Sequence, residues 1–342
     1  MKRVVILNDL KESDIRPDLG YSRYKELLAE NIRRYFLAQD CLLEVACPGC
    51  GATTVCRHFL AMGLRYCVCG ECGSWYVSPR PSQEKINTFH RESTACKFWR
   101  ADLVEKTAAL RSEEIFSYRV QWIAGLVEEF CPEASVLVDR GSRYPSLLTQ
   151  LIRQKLFSKI ALLFPECFEQ EAFLPREADI LRDQCPQAYA DVFVAFEQIE
   201  RCFDPGAIIR EAAQVCKPGG IFVLTTTTSS GFEYKVLADQ SPNLIPFDRL
   251  NLLSFEALLG LLNKGGFRVV EASTPGRLDV EMVKKTMEKL PASSGYDLWK
   301  YIFNYRSPEA LHSLQEFLQQ FQLSSHVRIA AVKEQGSYEQ SR

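Results

Sequence analysis

The sequence has no apolar stretch near the roughly 18 residues that a membrane-spanning helix needs. Its first apolar run, Val4 to Leu7, is too short for the core of a signal peptide. An excess of charge is also missing, because 41 Lys and Arg face 43 Asp and Glu, for a net charge of −2. Proteins that bind nucleic acid normally carry a basic patch, so this balance disfavours that partner. We therefore expect a cytoplasmic protein.

The 342 residues are sufficient for more than one compact unit, and the 46% apolar content is sufficient for a sizeable core. Thirteen cysteines are many for a cytoplasmic chain, where disulfides are uncommon. Six of them crowd into one short stretch between Cys47 and Cys72. Scattered cysteines usually behave as small buried apolar residues, whereas a crowded group indicates a metal site.

Two Cys-x2-Cys pairs lie in this stretch, in the segments CPGCG and CGECG, and 18 residues separate them. This spacing predicts a closed, four-thiolate structural zinc site. The predicted ligands are Cys47, Cys50, Cys69 and Cys72. A rubredoxin-like iron site and reduced, metal-free thiols are the alternatives. Arg57 and Arg65 are the cations between the pairs, which disfavours nucleic acid and leaves a protein partner as a candidate for this unit.

Short apolar runs alternate with helical stretches in the second part of the chain. The runs are SVLV (135–138), KIALLF (159–164), DVFVAF (191–196), IFVLTTTT (221–228), FRVVEAS (267–273) and HVRIAAV (326–332). Alternating strands and helices predict an α/β fold with a mostly parallel sheet that is covered by helices. The spacing of apolar residues before the last strand predicts one apolar helical face, formed by Leu311, Leu314, Phe317, Leu318 and Phe321.

Composition and pattern divide the chain into five parts. The prolines of SPRPS close the cysteine-rich stretch, and the polar end predicts a frayed tail. The predicted parts are an N-terminal helical segment (1–43), a zinc ribbon (44–82), a helical connector (83–130), the α/β domain (131–335, with a helical insertion at about 277–324) and the tail (336–342).

A glycine-containing turn, DRGSRYPS (139–146), follows the first strand of the α/β domain. Glycine allows close approach of the backbone to a ligand, and a helix N-terminus favours negative charge. Taken alone, the turn is equally compatible with an ordinary strand-to-helix connection.

The chain resembles class I S-adenosylmethionine methyltransferases, and in particular those with an N-terminal zinc ribbon among carbohydrate and secondary-metabolite tailoring enzymes. The resemblance covers most of the chain. It includes CPGCG with CGECGSWYVSPRPS, DVFVAFEQIERCFDP, CKPGGIFVLTT, LNLLSFEALLGLLNKGGFRVVEASTPGRLDV and LSSHVRIAAVK. It implies a Rossmann-like sheet with an antiparallel last strand, and S-adenosylmethionine as the cofactor.

The resemblance also implies which residues bind the cofactor. They are Asp139, Gly141, Ser142 and Tyr144 in the turn, Phe164 and Glu166 after the second strand, Asp183, and Phe196 and Glu197 at the fourth strand. The turn departs from the family pattern because Pro145 stands where the family has glycine. Proline has no N–H to donate.

Two further departures concern catalysis, because Arg201 and Arg249 stand where the family tends to have histidine. Arginine stays charged and does not take a proton, so Glu200 or Asp248 becomes the candidate base. The two arginines predict a clamp for a small, anionic acceptor such as a carboxylate or a phosphorylated sugar. The alternative is that both are solvated surface cations.

The four histidines are His58, His90, His312 and His326, and we expect none of them at a strand end that faces the pocket. Methyl transfer depends mainly on positioning and needs a base only when the acceptor must lose a proton. The predicted function is therefore a methyltransferase for a small molecule. The alternative is a catalytically inactive or repurposed methyltransferase fold that serves as a binding or scaffold protein.

Overall fold

The computed structural model describes residues 5–6, 10–37, 42–141, 145–163, 175–181, 185–291 and 295–335. Its strands are β1 (Leu42–Leu43), β2 (Val55–Ala61), β3 (Leu64–Cys69), β4 (Trp75–Val77), β5 (Arg80–Pro81), β6 (Val136–Asp139), β7 (Lys159–Leu163), β8 (Asp179–Leu181), β9 (Ala190–Phe196), β10 (Cys216–Thr227), β11 (Asn251–Leu252), β12 (Phe267–Ser273) and β13 (His326–Lys333).

Helices connect these strands and precede them. They are α1 (Glu12–Ile15), α2 (Asp18–Ile32), α3 (Gln83–Glu92), α4 (Thr94–Phe98), α5 (Ala108–Arg111), α6 (Ser117–Phe130), α7 (Pro145–Gln154), α8 (Pro205–Val215), α9 (Phe232–Leu237), α10 (Phe255–Lys264), α11 (Asp279–Met287), α12 (Asp297–Tyr305) and α13 (Pro308–Gln320). π-Helical turns at Arg33–Leu37, Trp99–Val104 and Ser112–Phe116 extend α2 and α4 and lead into α6.

The main sheet has the strand order β12-β13-β10-β9-β6-β7-β8 in the described part of the chain. Strands β6 to β10 pair in parallel, and β13 is antiparallel to both β10 and β12. The predicted α/β, mostly parallel sheet with an antiparallel last strand is therefore confirmed. Strand β8 is an addition, since the apolar runs of the sequence do not indicate it. Successive strands step outward from β6 to β8, and β9 then returns to the other side of β6, so the strand order reverses between β6 and β9.

Burial on both faces explains why the central strands read as continuous apolar runs. Every residue of β9 is buried. One face of the sheet packs on α8 and α10 through Ile208 and Leu258, and the other packs on α6 and α7 through Ile123 and Leu148. The sheet is thus a rigid support between two helical layers, and its strand ends define the edge where ligands bind in folds of this kind.

A second sheet, in the order β11-β4-β3-β2, contains the cysteine-rich stretch. Strand β11 comes from the α/β part of the chain and pairs antiparallel with β4. Helix α2 covers this sheet through an aromatic cluster, in which the rings of Phe36 and Phe247 stack with centroids 4.1 Å apart. The boundaries of the ribbon at residues 44 and 82 stay a prediction. The second sheet extends beyond them, because it includes β11.

Helices α11 to α13 form the predicted insertion before the last strand, around a small core that includes Val283, Phe303 and Leu318. The predicted apolar face of α13 is only partly correct. Leu318 is buried, but Phe317 and Phe321 are 48% and 51% exposed and stack on each other at the surface. No helix among the described residues combines the length and the apolar character that crossing a bilayer requires.

Candidate functional site

The four predicted metal ligands come together in the second sheet. The sulfur atoms of Cys47 and Cys72 are 3.6 Å apart, those of Cys50 and Cys69 are 3.5 Å apart, and all four lie within 4.8 Å of one another. A tetrahedral ion with metal–sulfur bonds of about 2.3 Å separates its ligands by about 3.8 Å. The cluster therefore has the dimensions of a tetrahedral four-thiolate site.

Glycine turns place each pair of thiols around the same point. Gly51 and Gly73 adopt φ values of +83° and +71°, which other residues rarely adopt. Their amides donate to the carbonyls of Cys47 and Cys69, respectively. Burial raises the pKa of the Cys47 thiol, and the neighbouring Cys72 raises it further. A bound cation would offset this cost of thiolate formation.

The turn after β6 lies at the point where the strand order reverses, which is the usual ligand-binding edge of such sheets. Asp139 ends β6 with a completely buried side chain, and Gly141 follows with a φ of +62°. Gln198, which follows β9, donates to the carbonyl of Gly141 at 3.0 Å. An acid, a left-handed glycine and a fixed backbone at this edge are compatible with the implied cofactor. Of the other predicted cofactor contacts, Ser142, Tyr144, Phe164, Glu166 and Asp183 lie outside the described residues.

Glu197 follows β9 in the left-handed region, with a φ of +56°. For a residue with a side chain this conformation is unfavourable, and it is often found at functional sites. Its carboxylate accepts a hydrogen bond from Arg119, whose guanidinium also lies 5.1 Å from the ring centroid of Phe196. Burial opposes ionisation of Glu197, but Arg119 and Arg201 outweigh it and hold the pKa well below its usual range. Phe196 itself belongs to the buried core.

A cavity of about 250 Å³ opens at the same edge of the sheet, beside β9, β10 and β13. Its wall is strongly charged. The lining arginines are Arg16, Arg111, Arg119, Arg201, Arg249, Arg277 and Arg328. The lining carboxylates are Glu114, Glu197, Glu233, Asp248 and Asp279. Arginines thus outnumber carboxylates on this wall by seven to five, and Arg249 and Arg328 also pair with Glu200 and Glu271 behind it. The groups that face the cavity itself therefore favour an anionic ligand.

Arg201 and Arg249 are both part of this wall, and their side chains are only 9% and 14% exposed. Arg201 pairs with Asp248 at 3.6 Å, and Arg249 pairs with Glu200 at 3.6 Å. The interpretation of the two arginines as solvated surface cations is therefore wrong. The four predicted catalytic residues come together, since Glu200 is completely buried behind Arg249, where it also accepts from Thr226 at 2.7 Å.

Several arginine nitrogens on this wall are buried without a hydrogen-bond acceptor among the described residues. They are Nε and Nη1 of Arg201, Nε of Arg249, Nη1 of Arg119 and Nη1 of Arg277. Two of them lie near a carboxylate oxygen but beyond hydrogen-bond distance, Nε of Arg201 at 3.6 Å from Asp248 and Nη1 of Arg277 at 3.7 Å from Glu114. A buried donor without an acceptor is costly, and donors of one sign that converge on one cavity indicate a ligand that supplies the acceptors. Anions with several oxygen atoms have this property.

His326 is a correction to the sequence analysis, which expects no histidine at a strand end facing the pocket. It begins β13, pairs in register with Thr227, the last residue of β10, and lines the cavity. Burial, together with Arg119, Arg249 and Arg277, lowers the pKa of His326 to about 4, although Glu197 opposes this shift. The imidazole is therefore neutral near pH 7.

Most of the chain matches a known protein family. A family model described as a methyltransferase domain matches residues 22–272. No curated protein matches the sequence. The fold is similar to that of a SAM-dependent methyltransferase from Thermotoga maritima, at 16% identity over 69% of this chain and 98% of that chain, with a TM-score of 0.42. It is also similar to geranyl diphosphate C-methyltransferase from Streptomyces coelicolor A3(2), at 14% identity over 67% and 83%, with a TM-score of 0.43.

We expect Cys50→Ser to reduce the metal content and the thermal stability of the protein, because structural sites of this kind contribute on the order of 10 kcal/mol of binding free energy to folding. Elemental analysis and a thermal melt measure both effects. The control is Cys56→Ser, since Cys56 is exposed and lies outside the cluster. Full metal content in Cys50→Ser would contradict the assignment.

Proposed function

Because the chain belongs to the S-adenosylmethionine-dependent methyltransferase family, we propose that it methylates a small, anionic acceptor, such as a sugar or metabolite with a carboxylate or phosphate group. The observation that carries this proposal is the arginine-rich cavity at the strand ends, with buried donors that lack a hydrogen-bond acceptor among the described residues. The cavity lies beside the point where the strand order reverses, so a donor and an acceptor would meet at one edge of the sheet.

S-adenosylmethionine supplies a methyl group on a positively charged sulfur. Among the described residues, we propose Asp139, Gly141, Phe196 and Glu197 as its contacts. The two carboxylates favour a cationic ligand, and the left-handed Gly141 allows close approach of the backbone. We keep Ser142, Tyr144, Phe164, Glu166 and Asp183 as further proposed contacts, on the resemblance alone.

Arg201 and Arg249 are the proposed clamp for the acceptor. Asp248 lies 3.6 Å from Nε of Arg201, and Glu200 lies 3.6 Å from Nη1 of Arg249, both beyond hydrogen-bond distance. Nη1 of Arg201 and Nε of Arg249 have no hydrogen-bond acceptor among the described residues and are available to an anion. Arg119 and Arg277 add further donors to the same wall. Held at these donors, an acceptor would be oriented toward the cofactor edge, and orientation is the main contribution of the protein to such a displacement.

For an acceptor that must lose a proton, His326 is better placed as a base than either predicted carboxylate. Glu200 is completely buried behind the wall and does not line the cavity. Asp248 already accepts a hydrogen bond from Tyr24 at 2.8 Å and pairs with Arg201. His326 is neutral and lines the cavity, so we propose that its imidazole takes the proton.

We also propose that the four-thiolate site binds zinc in a structural role, since a site closed by four thiolates has no open position for catalysis. The proposed ribbon spans residues 44–82 and the proposed α/β domain spans residues 131–335. Iron in place of zinc would leave the tetrahedral geometry unchanged, and elemental analysis distinguishes the two metals.

The family assignment predicts that the protein binds S-adenosylmethionine. We expect heat of binding by calorimetry, and we expect S-adenosylhomocysteine to raise the melting temperature, because a ligand that binds the folded state stabilises it. A folded protein that binds neither at millimolar concentration would exclude methyl transfer. It would favour the alternative, a methyltransferase fold that binds an anion without turnover.

The clamp predicts that Arg201→Ala and Arg249→Ala each weaken sulfate binding by about tenfold or more, since a hydrogen bond to a charged group contributes about 1.5–3 kcal/mol. Affinity for S-adenosylmethionine should change little. Calorimetry measures both. Arg210→Ala is the matched control, because Arg210 is an exposed arginine that pairs with Asp204. Unchanged sulfate affinity in both cavity variants would refute the clamp.

The environment of His326 predicts an anion-dependent proton affinity. In the free protein we expect its ring to titrate near pH 4, because burial and the surrounding arginines disfavour the imidazolium. Bound sulfate offsets the charge of those arginines, so it should raise the pKa. Ring NMR signals of labelled histidine follow the titration, and His326→Gln identifies the signal. A pKa near 6.5 in the free protein that does not change when sulfate binds would be inconsistent with this arrangement.

A further inference from the structure

The ribbon, residues 44–82, is hydrogen-bonded to both segments that carry the proposed clamp. One segment is residues 199–203, which we call the acceptor loop, and the other is residues 249–251. We propose that the ribbon positions the clamp, with Arg80 and Tyr66 as the positioning residues that act through the backbone of the acceptor loop and of Arg249. This inference rests on the proposed function, because it concerns the same anion site.

Arg80 is the central contact between the ribbon and the acceptor loop. Its side chain is completely buried. Nη1 donates to the carbonyl of Phe203 at 2.9 Å and to the side-chain oxygen of Asn251 at 2.9 Å, while Nε donates to the carbonyl of Val77 at 2.8 Å. One guanidinium therefore joins the ribbon backbone, the acceptor loop and β11.

Asn251 continues this network around the acceptor loop. Its side-chain amide donates to the carbonyls of Ile199 at 3.0 Å and Cys202 at 2.8 Å. Its backbone amide donates to the carbonyl of Glu200 at 3.0 Å. Together, Arg80 and Asn251 bind the carbonyls of four of the five loop residues. The backbone on either side of Arg201 is thereby fixed, and with it the direction of the Arg201 side chain.

Tyr66 holds the second half of the clamp. Its hydroxyl donates to the carbonyl of Arg249 at 2.8 Å, and Val77 donates its amide to the next carbonyl, that of Leu250, at 2.9 Å. Both donors belong to the ribbon sheet. The ribbon thus fixes the backbone that carries Arg249 as well as the backbone that carries Arg201.

The surroundings of Arg80 indicate that it positions the acceptor loop and does not only stabilise the fold. Its hydrogen-bond partners are neutral oxygens, and no carboxylate among the described residues forms an ion pair with it. Burial lowers the pKa of Arg80 to about 10. Apolar side chains often stabilise a protein as well as buried charges do. A buried guanidinium without a counter-charge, but with donors directed at three backbone and side-chain oxygens, is suited to fixing a loop.

The four-cysteine cluster contacts the α/β part of the chain through separate hydrogen bonds. Gly73 and Ser74 follow the ligand Cys72. The carbonyl of Gly73 accepts from the hydroxyl of Ser229 at 3.0 Å, and the hydroxyl of Ser74 accepts from the amide of Ser254 at 2.9 Å. A metal ion that fixes this knuckle would also fix its contacts with the α/β part of the chain.

The test uses the full-length, metal-loaded protein and compares Arg80→Met and Tyr66→Phe with the wild type. We expect sulfate affinity to fall about threefold to tenfold in Tyr66→Phe, the size of one hydrogen bond, and further in Arg80→Met. Affinity for S-adenosylmethionine and the metal content should stay unchanged. Deuterium exchange of peptides that cover 198–204 should be faster in Arg80→Met than in the wild type.

Two control variants lose hydrogen bonds elsewhere in the structure. Arg65→Met removes a bond from Nε to the carbonyl of Ser78 and an ion pair with Glu44, both within the ribbon. Tyr296→Phe removes a longer bond, of 3.4 Å, from its hydroxyl to the carbonyl of Leu237. We expect wild-type sulfate affinity in both. If sulfate affinity fell equally in the controls and in the test variants, Arg80 and Tyr66 would only stabilise the fold and would not position the clamp.

Sulfate affinity that is unchanged in Tyr66→Phe and in folded Arg80→Met would overturn the positioning role and leave the methyltransferase proposal intact. A wild-type protein that does not bind S-adenosylmethionine would instead refute the proposed reaction, while the sulfate and exchange measurements still decide the positioning role. If Arg80→Met does not fold, Tyr66→Phe and Arg80→Lys decide the result. Arg80→Lys keeps the charge and should restore part of the sulfate affinity.

Discussion

Two buried ion pairs, Arg201 with Asp248 and Arg249 with Glu200, constrain the rest of the site. Removing such charges from water is costly, and the attraction within a pair repays the cost only when the remaining donors are also satisfied. Here the pairs are at 3.6 Å, and guanidinium nitrogens are left without acceptors among the described residues. The surroundings must therefore hold the arginines in place. The main sheet does so from one side, and the second sheet does so from the other.

The parts of this structure that follow local rules could be predicted from the sequence. The spacing of Cys47, Cys50, Cys69 and Cys72 was sufficient to predict that the four thiols cluster, because two turns with fixed geometry bring four sulfurs to one point. The continuous apolar runs were sufficient for the strands of the main sheet, because both faces of those strands are buried. The sequence does not indicate strand β8, since two of its three residues are exposed and it carries no apolar run.

The residues that sequence reasoning missed depend on pairing between distant parts of the chain. His326 lies at the start of its strand, and only the antiparallel direction of β13 brings that start to the edge where the parallel strands end. Attention to that direction, which the sequence analysis itself predicted, could have placed His326 in the cavity. No comparable pattern in the sequence indicates the role of Arg80. A buried arginine that binds carbonyl groups cannot be distinguished in sequence from a solvated one, because its partners, Phe203 and Asn251, are defined only by the fold.

The pairing of β4 with β11 has a consequence for how the chain is made. The contact between Ser74 and Ser254 joins residues that are 180 positions apart. During synthesis, the cysteine-rich stretch emerges long before its last strand does, and β4 then has one unpaired edge. Exposed strand edges promote association between chains, and contacts of such long range slow folding. A nascent chain that stops before residue 250 would therefore expose an unpaired strand edge that favours association between chains.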